Sequence, residues 1–216
     1  MDKNRSSKLK ASLGHFLRAL GDLMIINILW FVCSLPVITI GPATCAAYDV
    51  MLKTARDEPV ATVSGFFKAF RSNFKQALFL GLFALVAAVV ITGDILFALS
   101  LSGNMKTFYL IFSGVMAALF LIIFVYAFAL QARFENTFVK HIVNAFKLAF
   151  IAPGKTVLMW LIWAVIPASF LLLPGTVVVY IGWFYILFAV SLPMYYCSKI
   201  LRNLFDTLIG ETTDES

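Results

Sequence analysis

Between Lys155 and Lys199 the chain runs for 43 residues without a single Lys, Arg, Asp or Glu. A membrane-crossing helix uses only about 20 apolar residues, so one helix cannot take up that length. Pro174-Gly175 falls near the middle of the run and is a turn signal. The run therefore predicts a helical hairpin across 156–196, with limbs at about 156–173 and 176–196. Two further uncharged runs follow the same logic: 107–132 holds 26 residues, and 76–93 holds 18 and continues past Asp94 to Met105. Ser102-Gly103-Asn104 with Lys106 marks the turn of a second hairpin, 76–130.

Composition agrees. Of the 216 residues, 62% are hydrophobic and 13% charged, where a soluble domain carries about 45–50% and about 25%. Mean hydropathy is +0.94. A disordered chain, a basic nucleic-acid-binding domain and an ordinary cytosolic enzyme are excluded, and the spans leave no length for a second, soluble domain. The net charge of +6 comes from Lys and Arg placed between the apolar runs, where they set orientation and meet anionic headgroups. No nucleic-acid partner is expected. Cys33, Cys45 and Cys197 all lie in apolar stretches without metal or CxxC spacing, which makes them small packing residues.

The first apolar region, 23–52, is interrupted by Ser34-Leu35-Pro36 and by Gly41-Pro42. It is long for one span and short for two. Positive charge arbitrates. If 23–52 enters and returns, the segments 1–22, 53–75, 131–155 and 197–216 share one side. They then hold 16 of the 17 Lys and Arg residues, against Lys106 alone on the other. Retention of Lys and Arg in the cytoplasm predicts this division. The region is read as a hairpin or deep re-entrant pair with a short, tilted second limb near 43–52. The basic segment 1–22 is read as a retained cytoplasmic N-terminus, since a secretory signal would reach its apolar core sooner.

The expected fold is thus an all-α integral membrane protein of the bacterial plasma membrane, multi-pass, with both termini cytoplasmic. It has about five to six membrane segments arranged as three helical hairpins, and 197–216 as a cytoplasmic tail. Two linkers are expected to be interfacial amphipathic helices on the cytoplasmic side. In the first, 60–75, Phe66, Phe67, Phe70 and Phe74 share a face flanked by Lys68, Arg71 and Lys75. In the second, 137–150, the face is Phe138, Ile142, Val143 and Phe146, with His141 on the polar side. The anionic inner leaflet is their expected partner.

No Walker loop, GxGxxG, HExxH or GxSxG is present. No catalytic residue, cofactor or metal site is assigned. Polar groups at membrane depth remain as candidates, because each is expensive there. Asp49 and Asp94 interrupt apolar limbs, and Asn27 is read first as interhelical glue. The break at 34–44, with Pro36, Thr39, Gly41 and Pro42, is expected to be non-helical and packed against other helices, since lipid cannot satisfy freed backbone groups.

Asn27-Ile28-Leu29-Trp30 followed by Ser34-Leu35-Pro36-Val37-Ile38-Thr39-Ile40-Gly41-Pro42-Ala43 resembles the opening signature of the YesL family of bacterial membrane proteins. Phe66-Phe67-Lys68-Ala69-Phe70-Arg71-Ser72-Asn73-Phe74-Lys75-Gln76-Ala77 is similar to that family's second signature. The resemblance implies a small polytopic protein without established activity, whose relatives often accompany polysaccharide breakdown and sugar import. It brings no catalytic residues. Three readings follow: a non-enzymatic accessory or assembly factor of carbohydrate import or utilisation, partnered with a sugar-transporter subunit; a small transporter or channel with its site at the broken first hairpin; and, third, a membrane-embedded enzyme. The first two differ in whether Asn27, Asp49 and Asp94 converge on one cavity.

Overall fold

Inside a bilayer a backbone must satisfy its own hydrogen bonds, and a helix does so locally. The computed structural model describes residues 3–214, with side chains placed for Gly14 and 17–206. The basic side chains before Gly14, His15, and the side chains of 207–216 lie outside the described residues. Among the described residues all regular structure is helical. The helices are α1 (Lys3–Cys33), α2 (Ile40–Ala55), α3 (Thr62–Ser72), α4 (Phe74–Ser100), α5 (Gly103–Arg133), α6 (Phe138–Ile151), α7 (Pro153–Leu172), α8 (Gly175–Phe188) and α9 (Ser191–Asp214). A 3-10 turn, Val37–Thr39, precedes α2.

The α4, α5 and α7 helices are long and apolar enough to cross a membrane, and α8 with the start of α9 makes a fourth candidate bent by 52°. That is three to four spans among the described residues, against the five to six expected. Part of the difference lies in α2. It has 16 residues, about 24 Å of helix against an apolar slab about 30 Å thick, and it carries Asp49 and Lys53.

What α2 lacks in length it makes up in burial. Every side chain from Gly41 to Tyr48 is buried, and α1, α3, α4, α5 and α9 pack around it. A helix apolar on all sides belongs at the centre, and the small residues Ala43, Thr44, Cys45, Ala46 and Ala47 let its neighbours come close. The tightest approach is at Gly41, where a Cβ would run into the Ala77 carbonyl and come within 2.8 Å of the Gly81 Cα. The α5 helix adds Val125, Tyr126 and Phe128 to this core, and α9 adds Met194, Cys197, Leu201 and Phe205. Beyond it, the far halves of α4 and α5 form a projecting pair that buries little apart from Ile91, Ala98 and Ser113. Their outer faces, with Val86, Val89, Phe108 and Ile111 exposed, suit contact with lipid. Gly103 starts α5 at φ +66°, a conformation glycine adopts without strain, at the turn read from the sequence.

Three expectations need correction. The break at 34–44 is not one irregular packed segment. Only 34–39 departs from the α-helix, and its Leu35, Val37 and Ile38 are exposed. The Thr39 hydroxyl closes the turn, lying 2.6 Å from the Cys33 carbonyl and 2.7 Å from that of Pro36. Pro42 then sits in the first turn of α2, where its missing N–H removes nothing from the helix. Second, the last limb, expected as one helix over 176–196, breaks at Ala189-Val190. Pro193 cannot donate a backbone bond to Ala189, and a side chain from α1 takes up the N–H groups left over, as described below. Third, α3 and α6 are more than surface helices. Phe66 and Ala69 of α3 are buried, and α3 packs on α2, leaving Phe67 as the exposed phenyl. In α6, His141 lies on the buried side with Ala145 and Leu148, not on the polar side.

Candidate functional site

At one end of the core the last turns of α2 and α5, the α3–α4 junction and the linker from α5 to α6 come together. The same end carries Lys53, Arg56, Arg133 and Arg202. Arg56 pairs with Asp206, Arg202 donates to the Ala55 carbonyl, and the Phe134 and Phe205 rings meet edge to face at 5.3 Å. A polar cleft of about 680 Å³ opens among these elements, within the roughly 300–1,000 Å³ common for small-molecule sites.

Each wall has a local cause. Asp49 faces the cleft from α2, with its side chain 13% exposed, and Lys53 one turn later bonds its carboxylate at 2.6 Å. This spacing is the favourable helical ion pair. Asn73 is both the end of α3 and the cap of α4. Its side-chain amide donates to the Ala69 carbonyl at 3.2 Å. The Asn73 N–H donates to the same carbonyl at 3.0 Å and its own carbonyl accepts from the Ala77 N–H at 2.9 Å, so the backbone stays bonded through the junction. Gln76 donates its amide to the Asn136 carbonyl, which fastens the α5–α6 linker across the opening. Gln131, in the last turn of α5, forms the deep end: it is 3% exposed, and neither its amide nitrogen nor its oxygen has a partner among the described residues. Arg133, Glu135 and Lys140 are exposed at the rim. Behind the linker His141 is buried, and burial lowers its pKa from the usual value while the Asn136 backbone partly opposes the shift.

The residues singled out from the sequence fall into separate places. Asp49 and Asn73 line the cleft, and Lys75 is exposed beside it on α4. Pro36 and Thr39 shape the exposed turn, while Gly41 and Pro42 start the buried helix. Phe67 is exposed; Phe70 is half-buried between the rings of Phe66 and Phe74, at 6.2 and 5.5 Å. Asp94 is half-buried on α4, about 27 Å along the helix from Gln76.

Asn27 is elsewhere again, and its surroundings are specific. It is fully buried. Its Nδ2 donates to the Ile186 carbonyl at 2.7 Å, and its Oδ1 accepts from the Val190 and Ser191 N–H groups at 2.9 and 3.0 Å. One side chain thus satisfies the α8–α9 break, acting as a cap supplied from another helix. Asn27, Asp49 and Asp94 do not converge.

Gln131 and Gln76 were not picked out from the sequence. Gln131 closes a 26-residue uncharged run, where an amide reads as the edge of the membrane. Its placement on the inward face of α5 was the missing signal. The further cavities among the described residues are apolar. One of about 590 Å³ lies between α7, α8 and the start of α9, and one of about 350 Å³ is lined by Phe124, Trp160, Trp163 and Pro167 among others. Among the described residues no group of His, Cys, Asp and Glu has the arrangement of a metal site.

Residues 23–95 match DUF624, described as a protein of unknown function. The chain is 28% identical over 153 residues to the uncharacterized protein YesL of Bacillus subtilis (strain 168), an alignment covering 68% of this chain and 71% of that protein. No solved structure matches the chain significantly. The matched span runs from the second half of α1 through most of α4, and so contains the central helix, the exposed turn, and the Asp49 and Asn73 walls of the cleft. These matches agree with the resemblance carried by 27–43 and 66–77: over these stretches the chain is similar to the YesL-like proteins, whose function is unknown.

Proposed function

We propose that this protein is a non-enzymatic accessory or assembly factor of the bacterial plasma membrane that works beside a carbohydrate importer through its polar cleft. The observation that carries the reading is where the polar groups gather. They meet at one basic end of the bundle, among α2, α4, α5 and α6, while Asn27 is spent on backbone and Asp94 stands far along α4. The cleft gathers polar groups at one end of the bundle, whereas a conducting path needs polar groups in succession through the apolar layer. This geometry favours the accessory reading over the transporter. The charge division puts the basic end, both termini and the cleft in the cytoplasm, within reach of an importer's cytoplasmic parts. The link to carbohydrate import rests on the resemblance to the YesL family.

The test is genetic and biochemical together. Deleting the gene is expected to slow uptake of a labelled oligosaccharide, and the full-length protein to restore it. Affinity capture from native membranes is expected to enrich importer subunits. Uptake unchanged by deletion, with no importer subunit enriched, overturns the proposal.

A further inference from the structure

The floor and walls of the cleft define what they can bind, taking the cleft as the working site proposed above. Gln131 lines the cleft with its amide nitrogen and oxygen closed off from solvent in this conformation, both buried and both without a partner among the described residues. A buried amide left unpaired is costly, so the position is built for something that bonds it. Asn73 donates its amide to the Ala69 carbonyl and the Ser72 hydroxyl, and Gln76 donates one of its two amide N–H groups to the Asn136 carbonyl, which leaves each side-chain oxygen as an acceptor. Asp49 adds carboxylate oxygen. With the Ser72 and Thr137 hydroxyls, which both accept and donate, the lining has more acceptor than donor sites, and its complement is a donor-rich molecule.

Charge narrows the choice. Asp49 is already neutralised by Lys53 at 2.6 Å. An anion would meet mainly acceptor oxygens at the floor. A cation would have to pass Arg133 and Lys140 at the rim, with Glu135 there balancing only one of the two. We propose that the cleft binds a small neutral molecule carrying several hydroxyl or amide N–H donors, held at its inner end by Gln131 through one donated and one accepted hydrogen bond. A polyol and a primary carboxamide share this chemistry.

The experiment uses the full-length protein in lipid nanodiscs, with binding followed by calorimetry. The probes are glucose, N-acetylglycinamide, inorganic phosphate and guanidinium. Saturable binding of glucose or of N-acetylglycinamide is expected, and which of the two binds distinguishes polyol from amide. Gln131→Met keeps the side-chain volume and removes the amide, and is expected to weaken that binding by about tenfold or more, about 1.4 kcal/mol. Asp49→Asn, which keeps the shape, is a second variant for the case in which Gln131→Met does not fold. It too is expected to weaken binding. Preferential binding of phosphate or guanidinium, or binding of neither neutral probe, overturns the assignment. So does neutral-probe binding that both variants retain in full. The cleft reading fails separately: if Gln131→Met supports full oligosaccharide uptake in cells, the cleft is not the working site, whatever it binds. If the neutral probes fail but Gln131→Met abolishes uptake, the cleft stands and the ligand class is wrong.

Discussion

Asn27 concentrates in one side chain the problem that polar groups face in apolar surroundings. Hydrogen bonds between membrane helices average only about 0.6 kcal/mol when measured by paired substitution. Asn27 differs because its partners are backbone groups that have no other recourse. Without it, the Val190 and Ser191 N–H groups and the Ile186 carbonyl are stranded where α8 ends. Each unpaired buried group costs about 1–3 kcal/mol. Asn27→Leu is therefore expected to destabilise the protein by about 2–4 kcal/mol, read as an earlier unfolding transition in detergent. Asn27→Asp is expected to destabilise as well, since it still accepts from both N–H groups but must either bury an unpaired carboxylate against the Ile186 carbonyl or take up a proton. Equal stability of the Leu variant and the parent would mean that the break holds without its cap. Gly41 poses the opposite problem, a lack of space: Gly41→Ala puts a methyl against the Ala77 carbonyl and the Gly81 Cα. It is expected to cost about 1–3 kcal/mol and to lower the yield of folded protein. From the sequence Asn27 was legible as glue between helices and Gly41 as part of a break. Their partners were not, because both touch main chain, and main-chain positions follow from the packing of helices far apart in the chain.

At the scale of the helix, α3 shows what periodicity can and cannot say. A row of phenyl groups with basic flanks predicts a helix, and the helix is there at Thr62–Ser72. The same row, however, suits a lipid interface or a neighbouring helix equally well. In the structure the inward neighbour wins for Phe66, which is fully buried against the core, and Phe67 is left outside at 39% exposure. Phe66→Ala is expected to cost about 3–5 kcal/mol and Phe67→Ser well under half of that. Thermal melts of the two variants side by side check the ordering; the reverse order would place the aromatic face outward after all. The α6 helix carries a related expectation. Burial holds the His141 pKa below its ordinary value. The unfolded chain therefore binds the proton first as pH falls, and stability rises with pH across that window. Above about pH 6.5 both states are neutral and His141 contributes no slope. Below it the folded state loses ground until its own lower pKa is passed. Melting temperature is expected to drop as pH falls below about 6.5, and His141→Gln should flatten that drop. An unchanged slope in the variant would assign the pH dependence to other groups.

For the molecule as a whole, the uncharged runs were enough to predict the second hairpin at nearly its observed bounds, because a bilayer leaves a long apolar run little choice but helix. They were not enough for the first region, where length alone could not separate crossing from re-entry. The structure supplies the missing measure. Gly41, at the start of α2, packs against Ala77 and Gly81 in the first turns of α4, so the preceding turn lies near the level of those residues. The far end of α4 is still about 28 Å away at 1.5 Å per residue. A turn at that depth does not reach the opposite surface if α4 spans the bilayer. Leu35, Val37 and Ile38, exposed at the tip, then meet lipid, which accounts for an apolar sequence at an exposed turn. On that condition the first pair of helices is expected to re-enter, with Lys106 the expected basic residue of the outer surface. The check is thiol labelling in a background with Cys33, Cys45 and Cys197 replaced. With the basic end inside, Asn104→Cys is expected to react with a membrane-impermeant maleimide from outside intact cells. Leu35→Cys should not react, although Leu35 is 79% exposed on the protein itself, because lipid shields its thiol from water and the thiolate is the reacting form. A Leu35→Cys protein that labels as fast as Asn104→Cys would show that the first hairpin crosses the membrane fully. The shallow position that the Gly41–Gly81 contact gives to α2 would then be wrong.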